Sequence, residues 1–321
     1  MDSAVFSIPL RLRFRGITVR EGMLLRGDAG WGEFSPFLDY DYDESTPWLA
    51  CALEAADLGW PAAVREVVPV NVTVPACDPE RAHAIVTGSS GCRTAKVKVA
   101  EKGQTLADDL ARVEAVRDAL GAEGHLRIDV NGGWSLDEAV ARIPLLDRAS
   151  GGLEYVEQPC VDVEDLALVR RRVEVPIAAD ESIRRADDPY RVRDLEAADI
   201  AVLKVQPLGG VRACLRIAED IGLPVVVSSA VETSVGIAAG VALAAALPEL
   251  NYACGLATVQ LLTGDVVAHS LLPVDGALTV ESVQVDASRL AAHSAAEDRA
   301  TYWRDRYAAV SPGLRREGRN R

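Results

Sequence analysis

The amino-acid sequence predicts an α/β protein, a TIM-like (β/α)7β barrel with an α+β capping domain. From residue 67 onwards, short apolar runs alternate with stretches of helical period, which is the pattern of a parallel sheet with crossover helices. Five of these runs carry a charged residue at their ends, and the spacing matches the roughly 25–30 residues of one βα unit. These residues are Lys98, Asp129, Glu157, Asp180 and Lys204. We therefore assign residues 67–270 to the barrel, and residues 1–66 with 271–321 to the cap.

The first 60 residues predict the sheet and the first helix of the cap. Residues 4–34 alternate apolar and polar side chains between glycines, which favours an antiparallel meander with one solvated face. The acidic, aromatic residues 39–44 are interpreted as a solvated or substrate-covering loop, since the Gly and the distal Glu of a Ca²⁺ loop are missing. A helix is expected over about residues 47–58, with Pro47 in its first turn.

Eight strands are predicted in the barrel, with helices between them. The first, over residues 67–74, has no charge at its end, and Asp78 opens the helix after it. Residues 106–120 show a helical period, and Ser135 with Glu138 forms a capping-box pattern before a helix that runs to about residue 146. The remaining predicted strands cover residues 94–98, 126–129, 153–157, 177–180, 200–204, 224–229 and 251–256.

The C-terminal tail changes character again. Residues 271–283 have the pattern of a strand, and residues 286–310 have that of a helix. Residues 311–321 are basic and are expected to be loose. We expect this tail to pack against the N-terminal segment and to form a lid over the mouth of the barrel.

Charge and composition narrow the class of partner. The net charge of −14, from 34 basic and 48 acidic residues, argues against nucleic acid, because phosphate binding rests on clustered Lys and Arg. The chain opens without a basic and apolar leader, and its most apolar stretch, residues 235–247, is too short for a membrane span. Six cysteines without a CxxC pair are expected to be free thiols. We expect a cytoplasmic monomer that binds a small molecule, and neither nucleic acid nor a membrane.

The charged strand ends predict a metal site. In a (β/α)₈ barrel the carboxyl ends of the strands meet at one mouth, where the active site lies. Asp129, Glu157 and Asp180 would supply three carboxylates there, and these are ligands that suit Mg²⁺ or Mn²⁺. A single carboxylate at a strand end often caps the next helix instead, and Asp180 in particular has this alternative. Three on successive units, with lysines on both sides, favour the metal.

The lysines predict proton transfer. Lys98 and Lys204 would face each other across a carboxylate substrate, with the metal stabilising the enediolate that forms when the α-proton leaves. Lys96 lies two residues before Lys98, so both side chains point to the same face of the strand. A second ammonium and a divalent cation nearby would each lower the pKa of Lys98. The alternative is a solvent-facing lysine pair, which the recurrence of Lys204 four strands later disfavours.

Taken together, these motifs resemble the enolase superfamily. Asn131 joins the candidate site here as a supporting residue, and the two-lysine arrangement is similar to the muconate-lactonizing subgroup of that superfamily. The resemblance implies a barrel whose three carboxylates bind Mg²⁺ and whose lysines act as base and acid. The motifs that carry it are Lys96-Val-Lys98, Asp129-Val-Asn131, Glu157-Gln-Pro159, Asp180-Glu-Ser182, Lys204 and Gly255-Leu256.

Within that subgroup, residues 9–22, residues 228–234 and the compact length resemble the actinobacterial o-succinylbenzoate synthases. The resemblance implies loss of water from 2-succinyl-6-hydroxy-2,4-cyclohexadiene-1-carboxylate to give 2-succinylbenzoate, a step toward menaquinone. It also implies that Lys98 removes the proton and returns it to the departing hydroxyl, while Lys204 stays charged; the two roles could be exchanged. Ser228, Ser229 and Gly255 are candidate substrate contacts, and they equally suit close packing of the last two strands.

Two alternatives stay open at this point. The first is an N-succinyl amino acid racemase that uses both lysines as bases, and the second is a barrel that binds a metal or ligand without catalysis. Dipeptide epimerases of the same subgroup usually carry Asp-x-Asp on strand eight. Here the corresponding stretch is Ala253-Cys-Gly-Leu256, which has no carboxylate and disfavours that activity.

Overall fold

The computed structural model describes residues 2–14, 16–185 and 188–317, and they form a curled parallel sheet capped by a small antiparallel one. The predicted α/β fold is confirmed. The antiparallel sheet is the meander predicted for the N-terminus, with each strand paired to the next. Its strands are β1 (Asp2–Phe14), β2 (Ile17–Arg26) and β3 (Trp31–Phe34).

Helix α1 (Tyr42–Leu53) starts earlier than the sequence led us to expect. Asp41 accepts a hydrogen bond from the backbone N–H of Glu44 at 2.8 Å, and the Glu44 carboxylate accepts the Asp41 N–H at 3.1 Å. This reciprocal capping box satisfies two of the free N–H groups at the helix start. The prediction of a loop over residues 39–44 is therefore wrong for its second half, and Pro47 lies inside the helix. A π-helical turn, Glu54–Leu58, continues α1.

Seven parallel strands surround the interior of the barrel, in the order in which they occur in the chain. They are β5 (Val72–Val74), β6 (Thr94–Lys98), β7 (His125–Asp129), β8 (Val156–Glu157), β9 (Ile177–Ala179), β10 (Ile200–Lys204) and β11 (Val225–Ser228). The helices that connect and cover them are α2 (Pro79–Thr87), α3 (Leu106–Leu120), α4 (Leu136–Ser150), α5 (Val163–Arg170), α6 (Glu181–Arg184), α7 (Arg191–Asp194), α8 (Val211–Ile221) and α9 (Ser234–Ala246).

Two predicted strands differ from the structure in their pairing, and a third, over residues 153–157, is shortened to β8. The first divides in two, because β4 (Val67–Pro69) pairs antiparallel with β12 (Ala277–Thr279) and only β5 joins the parallel sheet. The eighth, over residues 251–256, consists of two isolated parallel bridges, from Cys254 to Val70 and from Gly255 to Ser228. The segment thus touches both edges of the sheet and closes the barrel. It forms no regular strand, and a 3₁₀ turn at Ala257–Leu261 follows it directly.

Successive side chains of each strand point alternately outward, to the helices, and inward, to the barrel interior. Because both faces are buried and apolar, the strands are continuous apolar runs in the sequence. Residues such as Val97 and Leu203 pack outward against the helices. The inward set forms its own cluster, of which Ile200 and Val202 are members on β10. Because side chains repeat with period two, Lys204 points inward as well, directly beyond this apolar cluster.

The tail completes the cap. Helix α10 (Ala287–Ala292) precedes α11 (Glu297–Glu317), and Trp303 of α11 packs edge-on against Phe34 of β3 with ring centroids 6.1 Å apart. The expectation of a loose stretch from residue 311 is wrong for 311–317, which continue α11, and residues 318–321 lie outside the described residues. The strand pattern predicted for 271–283 is reduced to β12. The division into domains at residues 66 and 270 stays a prediction.

The apolar helix α9 lies in the interior, as expected for residues 235–247. All of its residues except the last are buried. Within the described ranges, no helix combines the length and the apolarity that a membrane crossing needs. The six cysteines are free thiols, as predicted, and all but Cys77 are buried.

The contact between β3 and α1 generates a stability prediction. A Cβ atom added to Gly32 would lie 1.8 Å from the carbonyl oxygen of Ala52, so only glycine fits at this crossing. We expect Gly32→Ala to lower the free energy of unfolding by about 2–3 kcal/mol, because the backbones must move apart. Urea unfolding measures this loss. Gly88→Ala is the control, since its Cβ would meet its nearest atom at 3.1 Å. Equal stability of the two variants would contradict the prediction.

Candidate active site

Five predicted site residues meet at the carboxyl ends of adjacent strands. Strand register pairs Lys98 of β6 with Asp129 of β7, and Asp129 with Glu157 of β8. Asp180 directly follows β9, and Lys204 ends β10. The three carboxylates are fully buried, and the lysines are at most 9% exposed. The structure therefore brings these residues together in one enclosed cluster.

Each carboxylate in this cluster contacts an ammonium group. The Nζ atom of Lys96 donates to Glu157 Oε1 at 2.9 Å and lies 3.2 Å from Asp129 Oδ2. Lys98 donates to the same Asp129 oxygen. Lys204 donates to Asp180 on the other side of the site. Pairing of this kind is what makes burial of so many charges tolerable.

Asn131 connects three members of the site. Its Oδ1 accepts a hydrogen bond from Lys98 at 2.6 Å, and its backbone N–H donates to Asp129 Oδ1 at 3.1 Å. Its Nδ2 donates to Glu181 at 3.2 Å. The residue has φ of 50°, a left-handed conformation that asparagine tolerates better than most residues. Asn131 follows the end of β7 by two residues, and its side chain orients the amine of Lys98.

Gln158 is a site residue whose role the sequence analysis missed. It is fully buried, and its Oε1 accepts the backbone N–H groups of Asp180 at 2.9 Å and Ser182 at 3.1 Å. Its Nε2 donates to Ser182 Oγ at 2.7 Å and to Cys160 O at 2.9 Å. The side chain thus fixes the chain next to Asp180 from the neighbouring strand. A polar residue directly after Glu157 was the available signal.

Arg184 is the second missed residue. Its Nε donates to Asp180 Oδ1 at 2.8 Å, and its Nη1 donates to the hydroxyl of Tyr40 from the cap. Although burial alone would raise the pKa of Asp180, Arg184 and Lys204 hold it well below its usual value. Asp180 occupies the position before α6 but makes no side-chain cap to that helix. A basic residue four positions after an acidic one at a helix start was the signal.

Burial and charge act in opposite directions on the other two carboxylates. For Asp129, burial alone would raise the pKa, but Lys98 and Lys96 hold it well below its usual value. For Glu157, burial and the charges of Asp129 and Asp180 raise the pKa to about 7, against the ammonium of Lys96. Glu157 is thus the carboxylate of the cluster that binds a proton most readily.

The lysines also differ from one another. Burial would lower the pKa of Lys96, but the carboxylates that it contacts outweigh burial and raise the pKa. Burial lowers the pKa of Lys204, and its contact with Asp180 only partly opposes this. Lys96 therefore stays an ammonium that neutralises two carboxylates, and its tuning of Lys98 stays a prediction.

The cluster offers the donor types that a hard divalent cation needs. Asp129, Glu157 and Asp180 offer carboxylate oxygens, the donors that Mg²⁺ and Mn²⁺ prefer. In the described part of the chain, no three His, Cys, Asp or Glu side chains converge on one point as ligands of an ion do. The donor types fit a hard cation, and the ammonium groups that contact the carboxylates would have to withdraw to admit it.

The three lysines line a small cavity of about 20 Å³, close to the volume of one water molecule. Ser228, Ser229 and Gly255 line it as well, and their contact with a substrate stays a prediction. A Cβ on Gly255 would lie 2.8 Å from Ser228 Oγ, so tight strand packing also requires this glycine. Phe14 of the cap lines the cavity as well and was not predicted. Phe14, Lys98 and Asn131 border an adjoining cleft of about 270 Å³.

The chain is similar to enolase-related proteins. The family described as enolase C-terminal domain-like matches residues 80–284, and the enolase N-terminal domain-like family matches residues 5–56. The chain is 70% identical over 291 residues to the o-succinylbenzoate synthase of Thermobifida fusca, covering 91% of each chain. It is 56% identical to that of Mycolicibacterium smegmatis, covering 95% of this chain and 94% of the relative.

A solved structure agrees with these relatives in fold. The chain is similar to the muconate lactonizing enzyme of Pseudomonas fluorescens complexed with muconolactone, with a TM-score of 0.79. The likeness covers 92% of this chain and 98% of that chain, at 22% identity. At this identity the comparison concerns the fold alone.

The contact between Lys96 and Glu157 generates a pH-dependent prediction. Lys96→Met leaves Glu157 without this ammonium, and we expect a loss of about 3 kcal/mol in the free energy of unfolding at pH 8.5. The raised pKa of Glu157 means that stability falls as pH rises from about 4.5 to 7. The variant raises that pKa further, so its loss should shrink at pH 5.5, where Glu157 is neutral.

Urea unfolding at the two pH values, in the presence of a chelator, measures this difference. Lys102→Met, at an exposed lysine, is the control and should change stability little at either pH. A loss that is the same at pH 5.5 and pH 8.5 would show that Glu157 is not the group left unpaired.

Proposed function

Because the chain belongs to the enolase superfamily and, within it, to the o-succinylbenzoate synthases, it is a hydro-lyase, and we propose that Lys98 and Lys204 carry out its reaction. The reaction is loss of water from 2-succinyl-6-hydroxy-2,4-cyclohexadiene-1-carboxylate, which gives 2-succinylbenzoate in the direction of menaquinone. The observation that supports the proposal is the position of two buried amines on opposite strands, with three carboxylates between them.

Lys98 is the proposed base. As a neutral amine it takes the proton from the carbon next to the ring carboxylate, and it becomes an ammonium. It then gives that proton to the departing hydroxyl, so that water leaves and the ring becomes aromatic. Asn131 supports this role, because its Oδ1 accepts a hydrogen bond from Lys98 and fixes the direction of the amine. One group thus serves as base and acid in turn.

Lys204 is proposed to remain an ammonium and to stabilise the negative charge on the substrate. A cation held in an enclosed site acts strongly on developing charge, because little water is present to screen it. Burial lowers the pKa of Lys204, which brings this amine closer to neutrality. Exchange of the two lysine roles therefore stays open on this geometry.

Enzymes of this superfamily typically use Mg²⁺, and we propose Asp129, Glu157 and Asp180 as the residues that hold it here. When bound, the cation would neutralise charge that collects on the substrate carboxylate as the proton leaves. Arg184 and Gln158 support this assignment, since they fix Asp180 and its backbone. Mn²⁺ would suit the same donors.

Small residues complete the proposed substrate site. Ser228, Ser229 and Gly255 border the cavity together with Lys98 and Lys204, and we propose them as contacts to the polar groups of the substrate. Ser229 is oriented by Thr258, with 2.8 Å between the two hydroxyl oxygens. The monomeric state stays a prediction. A cytoplasmic location stays a prediction.

The two lysines generate the central prediction. We expect Lys98→Ala and Lys204→Ala each to lower kcat for dehydration by about 10²–10⁴-fold, because each removes a group that acts on the reacting atoms. The rate is measured from the absorbance of the aromatic product, after thermal unfolding has shown that the variants are folded. Lys102→Ala, at an exposed lysine, should keep the full rate.

Three outcomes would contradict this assignment. An unchanged rate in Lys98→Ala would exclude its role as the base. Faster α-deuterium exchange on N-succinyl amino acids in D₂O than dehydration would identify a racemase instead. Absence of both activities in the unmodified protein would indicate a barrel that binds without catalysis.

The carboxylates generate a prediction that does not depend on turnover. We expect Asp129→Asn, Glu157→Gln and Asp180→Asn each to weaken Mg²⁺ binding by about tenfold or more, measured by calorimetry, since each removes a charged oxygen donor. Asp118→Asn, at an exposed side chain on α3, should bind Mg²⁺ as the unmodified protein does. Full activity in the presence of EDTA, or unchanged binding in all three variants, would overturn the metal site.

A further inference from the structure

One wall of the cavity is built from a strained segment. Ser228, Ser229, Ala230 and Val231 follow β11 and line the cavity together with the three lysines. Val231 has φ of 63°. This left-handed conformation is strongly unfavourable for a β-branched side chain and persists only where the surroundings impose it. Two buried residues of the cap, Arg20 and Glu33, supply those surroundings.

Arg20 of the cap is the first such residue. It is 2% exposed, and its Nε donates to the carbonyl oxygen of Val231 at 3.0 Å. Its Nη2 donates to Ser35 Oγ at 2.9 Å and to the Ser35 carbonyl oxygen, and the guanidinium lies 4.7 Å from the centre of the Phe37 ring. The planar guanidinium thus joins Val231 to β2 and to the residues after β3 at the same time.

Glu33 of β3 is the second. Its Oε2 accepts the backbone N–H of Thr233 and that of Gly236, each at 3.1 Å, and the Thr233 hydroxyl at 2.5 Å. Its Oε1 accepts the Ser35 hydroxyl at 2.7 Å. A carboxylate from the cap therefore caps the start of α9, a helix of the barrel. The wall is held between Arg20 and this capped helix start.

We propose that Arg20, assisted by Glu33, is a positioning residue that holds the wall from Ser228 to Val231 in the shape that binds the substrate. The proposal rests on the function proposed above. Arg20 is not among the residues that line the cavity, and it acts through the carbonyl of Val231. Its loss should therefore weaken substrate binding, while the amines keep their geometry and chemistry.

The choice of variant follows from the charges around Arg20. Glu33 and Glu232 are both buried, and burial raises the pKa of Glu33 to about 7 while Arg20 opposes this. Removing the positive charge would disturb both carboxylates as well as the wall. Arg20→Lys keeps the charge but replaces a planar fork by a single ammonium, which cannot reach Val231 and Ser35 in the same way.

We expect Arg20→Lys to raise KM for dehydration by about 5–20-fold, to change kcat less than threefold, and to weaken binding of 2-succinylbenzoate in calorimetry by a similar factor. A crystal structure of the variant should show Val231 outside the left-handed region. KM within twofold of the unmodified enzyme would overturn the proposal, as would a fall in kcat at constant KM. Turnover by the unmodified enzyme is established first, because its absence would contradict the proposed function rather than the role of Arg20.

A second pair of variants tests the coupling to Val231. Glycine adopts a positive φ without strain, so Val231→Gly should make the wall less dependent on Arg20. We expect Arg20→Lys to raise KM by less than threefold in the Val231→Gly background. Equal effects in both backgrounds would overturn the proposal. Ser135→Ala removes the capping box of α4 and is the control, since it should lower stability without changing KM.

Ser35→Ala covers the case in which Arg20→Lys does not fold. It removes the hydroxyl that joins Arg20 to Glu33 and leaves both charges in place. We expect a rise in KM of about 2–5-fold with kcat unchanged. A Ser35→Ala enzyme with unmodified KM and lowered thermal stability would assign the network to stability alone and would overturn the proposal.

Discussion

The mouth of the barrel depends on one constraint: each buried negative charge needs a positive charge in contact with it. Three carboxylates without solvent exposure are tolerable only with cations in direct contact. Those cations come from separate elements: Lys96 and Lys98 from β6, Lys204 from β10 and Arg184 from α6. The strands must therefore be in the correct register before the charges can be buried, and the charges in turn favour that register. Barrel closure and burial of the site charges therefore stabilise one another.

Much of the fold and of the site could be predicted because both depend on short-range periodicity. Period two and regular spacing place Lys98, Asp129 and Lys204 on the same inner face. Gln158 was missed because the backbone N–H groups that it binds, on Asp180 and Ser182, belong to the next strand unit. Arg184 lies four residues after Asp180, a spacing that alone indicates only a helical ion pair, and its other partner, Tyr40, comes from the cap. The early start of α1, in contrast, could have been predicted from the local sequence. Asp41 and Glu44 have the spacing of a capping box, but they lie in a run of acidic residues that we interpreted as a loop.

The cap contributes more than a cover. Phe14 reaches the cavity, Tyr40 contacts Arg184, and Glu33 caps α9. Cap and barrel are thus joined by hydrogen bonds between buried polar groups. Displacement of the cap would leave buried donors and charges of both parts without partners. Residues that shape the site are consequently spread over a meander with no catalytic group of its own.

Both ends of the chain build the cap, and this has a consequence for biosynthesis. Arg306 of α11 donates to the carbonyl oxygens of Phe37 and Tyr40, and Arg299 forms an ion pair with Glu21 at 2.5 Å. Phe37 and Arg306 are 269 positions apart. At translation rates of roughly 5–20 residues per second, the emerging meander waits on the order of tens of seconds for its last partners. Until then Phe34 lacks the aromatic rings of α11 that pack against it in the folded protein, so a nascent-chain chaperone has most to protect there.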